Sequence, residues 1–319
     1  MELRRLVKSG NSSFTVAIPK EWIDKNKLKK GDIIYIDETS DNSLAVSVKP
    51  EEKEELKEMD IIVGNKSPLF VTRELRAAYL SGVNKIHLKL PKDKRDSLVK
   101  EIKQAISELA ALEIVEENSG SIIVKSFLNY KEIQVTELVR RIDNMARSML
   151  FDSVECIDNP SMAEEIKQRD FEVNRIVFLI FRVLIKCTSD ANVAKMNGLQ
   201  NVDVIKYWHL TFLIEEIADI AKRNAESIKA VMNEKRKLDK KLLKQIYKEC
   251  VDLYCRAMTI LYTKNIQQGV ELRDSITAMH KKCDKYLETY QDCKVYSVVG
   301  RLKQLLSKNK DLTKLTIYL

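Results

Sequence analysis

Four carboxylates stand on stripes where the surrounding pattern calls for hydrocarbon. Val135, Leu138, Ile142, Met145 and Met149 step by threes and fours, and the next step lands on Asp152. Ile166, Asp170, Val173, Val177, Ile180, Leu184 and Cys187 form a second stripe with Asp170 on it. In a third helix Tyr207, Leu210, Ile214, Ile217 and Ala221 share one face, and Trp208, Phe212, Glu215 and Asp219 share another. A buried carboxylate is costly unless it is paired, hydrogen-bonded or metal-bound. Carboxylates from successive helices that converge in a bundle are one way to hold a cation. An all-oxygen donor set suits Mg or Mn, and bridging carboxylates also hold iron or zinc. The competing arrangement places them at the bundle rim, paired with Arg147, Arg169, Arg175 or Arg223; spacing alone leaves both open.

A second set of residues suits another chemistry. Residues 8–22 read KSGNSSFTVAIPKEW, a polar glycine-bearing turn, an alternating strand, then Pro-Lys. Residues 1–30 hold eight Lys and Arg against three acids, and residues 31–50 reverse the balance with one Lys against four acids. The positive excess of this end exceeds what the whole chain, at +8, suggests by length alone. Lys and Arg neutralise phosphates, while Asn and Ser offer short donors to backbone or base edges. The plainer reading of Gly10-Asn11 is a hairpin turn.

Other chemistry finds little footing. There are three histidines, no glycine-rich phosphate loop and no Ser/His/Asp or Cys/His set, so an enzyme is not expected. His87 lies in an alternating strand and reads as structural, and His280 with Cys283 beside Asp284 is too sparse for zinc. The six cysteines form no C-x-x-C and fit free thiols in a reducing cytoplasm. Arg4, Arg5 and Lys8 are not followed by an apolar run, and the tract around VFLIF (177–181) is too short to span a bilayer. A cytoplasmic protein without membrane insertion is the expectation.

The elements that position these residues follow from proline. All five prolines lie at or before Pro160, and the 159 residues after it contain three glycines, a pattern of long helices. Before it, β-branched alternation and turns dominate. The expected class is a multi-domain α+β protein: a small β domain over 1–50, an α/β middle segment over 51–130 and an all-α bundle over 131–319. In the first domain, strands are expected at 3–8, 13–18, 33–37 and 44–48, with a short helix at 20–27. Fifty residues with so few large apolar side chains bury too little alone, so dimerisation through the strands is expected. The middle domain reads as a charged run at 50–58, an α/β pattern to residue 110, and strands at 112–117 and 121–127.

Two family resemblances attach to these residues. RRLVKSGNSSFTVAIPKEWIDKNKLKKGDIIYIDE resembles the AbrB/MazE/SpoVT DNA-binding family through Lys8, Gly10-Asn11-Ser12, Ile18-Pro19, Leu28 and Gly31-Asp32. The resemblance implies a swapped-hairpin homodimer that contacts DNA through Arg4, Arg5, Lys8, Asn11, Ser12 and Ser13, with Lys20 on a phosphate. RRIDNMARSMLFD, IKQRDFEVNRIVFLIFR and LIEEIADIAKRNAESI look like the PhoU family of phosphate-uptake regulators. That resemblance implies a divalent or iron-type metal cluster on Asp170, Glu215 and Asp219, with Asp152 and Asn174 as further ligands. Asn174 stands where the family pattern has a second aspartate, and the second repeat (about 238–319) is degenerate, so one cluster at most is implied. The order of segments resembles archaeal-type phosphate uptake regulators. It implies a transcriptional regulator of phosphate uptake that partners DNA. The alternatives are an adaptor docking on phosphate-transporter subunits, with the first domain serving only to dimerise, an antitoxin, and a carboxylate-bridged metalloenzyme.

Overall fold

The computed structural model describes residues 3–10, 12–38, 44–48, 56–91, 96–232 and 238–316. The chain divides into two compact units, Met1–Glu55 and Leu56–Leu319.

In the first unit β1 (Val7–Ser9) and β2 (Ser13–Thr15) form an antiparallel hairpin, with Lys8 opposite Phe14 and Ser9 opposite Ser13. Both strands are shorter than the expected 3–8 and 13–18. Gly10 takes φ +75° in the turn, a left-handed conformation that side chains resist. Helix α1 (Lys20–Lys25) starts from Pro19, whose carbonyl accepts from the Trp22 and Ile23 amides at 3.1 and 3.2 Å. Pro19 is thus the cap, and the helix begins at Lys20 as expected but ends two residues short of the expected 27. The Gly31-Asp32 pair closes the next turn: Gly31 has φ +100° and the Asp32 carboxylate accepts from the Lys29 amide at 2.7 Å. β3 (Tyr35–Glu38) then pairs antiparallel with β4 (Leu44–Ser47). No described residue of this unit is buried.

The second unit opens with a four-stranded sheet in the order β5-β6-β8-β7, made of β5 (Glu58–Ile62), β6 (Lys85–Lys89), β7 (Leu112–Glu117) and β8 (Ser121–Ser126). β5 and β6 are parallel and are linked by the crossover helix α2 (Pro68–Leu80). Ser67 caps α2 by accepting from the Phe70 amide, with Pro68 at the first turn where no amide is needed. Helix α3 (Asp96–Ser107) packs beside α2. Ile61, Leu75, Tyr79, Ile86, Leu88, Ile102, Ile122 and Val124 fill the core between helices and sheet.

Among the described residues seven α-helices follow: α4 (Val135–Glu155), α5 (Ala163–Ser189), α6 (Ala191–Met196), α7 (Asn201–Met232), α8 (Lys240–Thr263), α9 (Ile266–Thr289) and α10 (Cys293–Leu315). α4, α5 and α7 pack as one three-helix group and α8, α9 and α10 as another, joined through α7 against α10 and α4 against α8. One apolar core runs through both groups. Although the sequence suggests a break near residue 130, the sheet layer and the bundle form one compact unit. Arg182 of α5 is 1% exposed and reaches into the layer. It donates to the carbonyls of Tyr79 and Val83 at 3.0 and 3.2 Å and to the Tyr130 hydroxyl at 3.0 Å. Its guanidinium also lies 4.5 Å from the Tyr79 ring centroid. No carboxylate among the described residues pairs with it, so the carbonyl end of α2 supplies the compensating negative potential.

Candidate functional site

The hairpin of the first unit gathers part of the expected DNA-contact set. Lys8 lies in β1, Ser12 in the turn and Ser13 at the start of β2, all exposed. Arg4 and Arg5 are exposed on the extended segment leading into β1, and Lys20 is exposed as the first residue of α1. Asn11 lies outside the described residues. Strand alternation puts Lys8 and Phe14 on one face and Val7, Ser9, Ser13 and Thr15 on the other. Thr15 reinforces the pairing by donating to the Val7 carbonyl at 3.3 Å. The unit also presents apolar side chains to solvent: Leu3 is 88% exposed, Ile33 74% and Phe14 62%. That surface is what a β domain too small to enclose its own apolar side chains leaves open.

The four carboxylates of the bundle do not assemble into one cluster. Asp152, on α4, is taken by Arg169 of α5 at 2.5 Å, and Arg169 also donates to Ser148 at 2.7 Å. Asp170 of α5 meets α7 instead. Its carboxylate accepts from Lys222 at 2.7 Å and from the Asn174 amide at 3.2 Å. The same Lys222 ammonium lies 2.8 Å from one Asp219 oxygen, and Arg223 lies 2.6 Å from the other. Glu215, one turn before Asp219, has neither a hydrogen bond nor a salt bridge among the described residues.

This donor set does not fit a multinuclear metal cluster. The Lys222 ammonium sits between Asp170 and Asp219 at hydrogen-bonding distance, where a bridging metal ion needs both carboxylates. Arg223 covers the outer oxygen of Asp219, and Asn174 contributes an amide rather than a charge. Among the described residues no group of three or more His, Cys, Asp or Glu side chains is placed to hold a metal. Lys222 therefore plays the cation's part with a fixed charge. Burial pushes the Asp170 carboxyl above its ordinary value despite the Lys222 hydrogen bond, and burial with the nearby Asp219 and Asp170 charges does the same to Glu215. For Lys222 burial acts to lower the pKa, but the hydrogen bonds to Asp170 and Asp219 outweigh it and hold the ammonium charged.

The rim arrangement foreseen as the competing reading thus supplies Arg169 and Arg223, while Lys222 was not anticipated. Its signal was available, because Lys222 lies three residues after Asp219 on the same helix face. Asp143 was also missed. It is 2% exposed and accepts from the Tyr254 and Tyr262 hydroxyls at 2.7 and 3.1 Å and from Arg147 at 3.0 Å. The stripe through Val135 and Ile142 includes Val139, Ala146 and Leu150 as well, and that wider face brings Asp143 inside. The Tyr partners lie more than a hundred residues downstream, on α8. By contrast Trp208 and Phe212, on the helix face that carries Glu215 and Asp219, are 39% and 48% exposed, so this face opens to solvent at its N-terminal end and is half-buried at the carboxylates.

Comparisons with known proteins cover both units. Residues 7–55 match the family model described as Antidote-toxin recognition MazE, bacterial antitoxin, and residues 139–228 match the PhoU domain model. Both resemblances read from the sequence are therefore found by these models. Among solved structures, the chain is similar to PhoU from Pseudomonas aeruginosa at 13% identity and a TM-score of 0.52, covering 58% of this chain and 94% of that one. It is also similar to the phosphate transport system regulatory protein PhoU from Streptococcus pneumoniae at 12% identity and a TM-score of 0.48, covering 58% and 92%. The first likeness gives the bundle a PhoU-like fold. No curated protein matches the chain.

Proposed function

We propose that this chain is a cytoplasmic, homodimeric DNA-binding regulator of phosphate uptake, and not an enzyme. A MazE-matching first unit and a PhoU-matching bundle on one chain support a phosphate-related regulator. The observation that carries the DNA-binding part is the exposed hairpin, with Lys8, Ser12 and Ser13 on it and Arg4, Arg5 and Lys20 beside it, in a unit with no buried residue among those described. Two such units pair through their open apolar surface and present two basic turns to one operator. Lys and Arg then hold phosphates, while Ser12, Ser13 and Asn11 meet backbone or base edges. No helix among the described residues is long and apolar enough to cross a membrane, which is compatible with a DNA partner. The PhoU-like bundle supplies the sensory or relay part.

Fluorescence anisotropy of the full chain on fragments of its phosphate-transport promoters tests this reading, with genome-wide occupancy in high and low phosphate alongside. Affinity is expected to fall steeply with salt and to drop in a Lys8→Ala, Asn11→Ala double variant. A double variant that binds DNA as the parent does removes the hairpin from the interface. The second reading is an adaptor that acts on phosphate-transporter subunits, favoured by the PhoU-like fold itself. No DNA affinity at low salt, together with co-purification of transporter subunits, would select it.

A further inference from the structure

At one end of the bundle, the start of α4, the turn between α6 and α7 and the end of α8 enclose a cavity of about 380 Å³. That volume lies within the range of small-molecule sites, roughly 300–1,000 Å³. Arg140 and Lys264 line it from α4 and from the residue after α8, and among the described residues neither forms a salt bridge. The carboxylate in the lining, Asp203, is already engaged by the Gln200 amide at 3.0 Å and by Lys206 at 3.5 Å. Two cations without a salt bridge thus face one opening, and Asp203, the carboxylate among its lining residues, is held by Gln200 and Lys206 instead.

The aromatic part of the lining is fixed from behind. Tyr262 donates to buried Asp143, which Tyr254 and Arg147 also hold, so its ring cannot swing out of the wall. The Arg140 guanidinium lies 5.8 Å from the Tyr262 ring centroid, poised over its face. Tyr207 closes a further side from α7. Thr136, in the first turn of α4, adds a hydroxyl at the positive end of a 21-residue helix. A guanidinium, an ammonium, hydroxyls and a helix N-terminus around one small cavity recognise a compact, doubly charged oxyanion.

We propose that this cavity is an effector site for a small phosphorylated anion, held by Arg140 and Lys264 against the Tyr262 wall. The inference deepens the regulatory reading above by naming the chemistry of its effector. The phosphoryl group has two sources, inorganic phosphate or a mononucleotide whose base packs on the tyrosines.

Isothermal titration of the full chain with inorganic phosphate and, separately, with adenosine 5′-monophosphate tests it. Arg140→Gln, Lys264→Gly and the double variant serve as partners. Glycine is chosen because Lys264 has φ +55°, where a side chain is itself strained. The parent chain is expected to bind at least one ligand, each single variant to weaken it by roughly tenfold or more, and the double variant to abolish it. Phosphate binding as tightly as the nucleotide identifies the free anion as effector; a clear gain for the nucleotide identifies the aromatic wall as part of the site. No binding of either ligand at millimolar concentration overturns the proposal, as does undiminished binding by the double variant. Unchanged melting temperatures establish that the variants fold. DNA affinity measured without ligand is a separate readout: its absence in the parent chain sinks the DNA-regulator reading while the titration still stands.

Discussion

Replacing Lys222 by methionine removes the one charge that Asp170 and Asp219 share. Both contacts are short, 2.7 and 2.8 Å, and the side chains are largely enclosed, at 21% exposure for Lys222, 10% for Asp170 and 22% for Asp219. Breaking a fully buried ion pair from one side costs about 3–5 kcal/mol, and an exposed pair contributes about 0.2–1 kcal/mol. Partial exposure places this site between those limits, at about 2 kcal/mol. For a unit of this size each kcal/mol moves the melting temperature by roughly 2–4 °C, so Lys222→Met is expected to melt about 4–8 °C lower near neutral pH. The loss is pH-dependent with a definite sign. Without the ammonium, Asp170 and Glu215 face each other and the Asp219 charge uncompensated, and their folded pKa values rise further. Carboxylates of that kind keep their protons in the folded state after the unfolded chain has lost them. Their stabilising contribution is present below the unfolded values, near 3.8 and 4.5, and is lost as pH rises. The gap between variant and parent therefore narrows toward pH 4. Differential scanning calorimetry from pH 4 to 8, with and without millimolar Mn²⁺, reads both effects. Mn²⁺ is expected to raise the melting point of Lys222→Met, in which Asp170 and Glu215 lack a cation and Asp219 keeps only Arg223, and to leave the parent unmoved. A variant that melts with the parent at pH 7, or a parent that gains as much from Mn²⁺, refutes the assignment of Lys222 as the built-in cation.

Glu215→Gln is expected to raise the melting temperature at pH 7, with the gain fading as pH falls toward about 4.5 and absent below it, because the raised pKa makes the ionised form the unfavourable one; thermal melts across that range check the slope. Arg182→Met removes hydrogen bonds to Tyr79, Val83 and Tyr130 and is expected to cost about 2–4 kcal/mol. Calorimetry should then resolve separate transitions for sheet layer and bundle, where the parent is expected to give one for the second unit. Gly10→Val places a β-branched residue at φ +75° and is expected to destabilise the hairpin by about 1–2 kcal/mol, lowering DNA affinity with no change in charge. An anisotropy titration that leaves Gly10→Val equal to the parent argues against a formed turn in the complex.

Periodicity made the bundle legible because each helix buries a continuous stripe. Every residue of the stripe from Ile166 to Cys187, Asp170 included, is buried as the spacing implies. Turn chemistry exposed the hairpin and the Gly31-Asp32 corner, since a positive φ and a side chain that caps an amide demand particular residue types. What stayed hidden are partners distant in sequence. The Lys222–Asp170 pair joins residues 52 apart, and the Tyr262–Asp143 bond joins residues 119 apart. Spacing identifies a charge on a stripe but not the side chain that arrives from another helix. Arg182 was hidden for a further reason: its neighbours Phe181 and Val183 make it look like one polar break in an apolar run, and its partners are backbone carbonyls, which have no sequence signature.

The Arg182 contact also sets an order of events during synthesis. Its carbonyl partners, Tyr79 and Val83, lie 103 and 99 residues upstream. The strands of the sheet layer are all made by Ser126, well before α5 leaves the ribosome. At a translation rate of about 5–20 residues per second, the C-terminal end of α2 waits several seconds for its seal. During that interval the Tyr79 carbonyl has the Gly82 amide as its partner and the Val83 carbonyl is left to water. Insertion of one guanidinium then exchanges that water for protein and ends the independence of the layer. Docking of α5 is thus the step at which the nascent layer and the helices become one cooperative body, and delaying codons placed before residue 182 lengthen the time in which the layer stands alone.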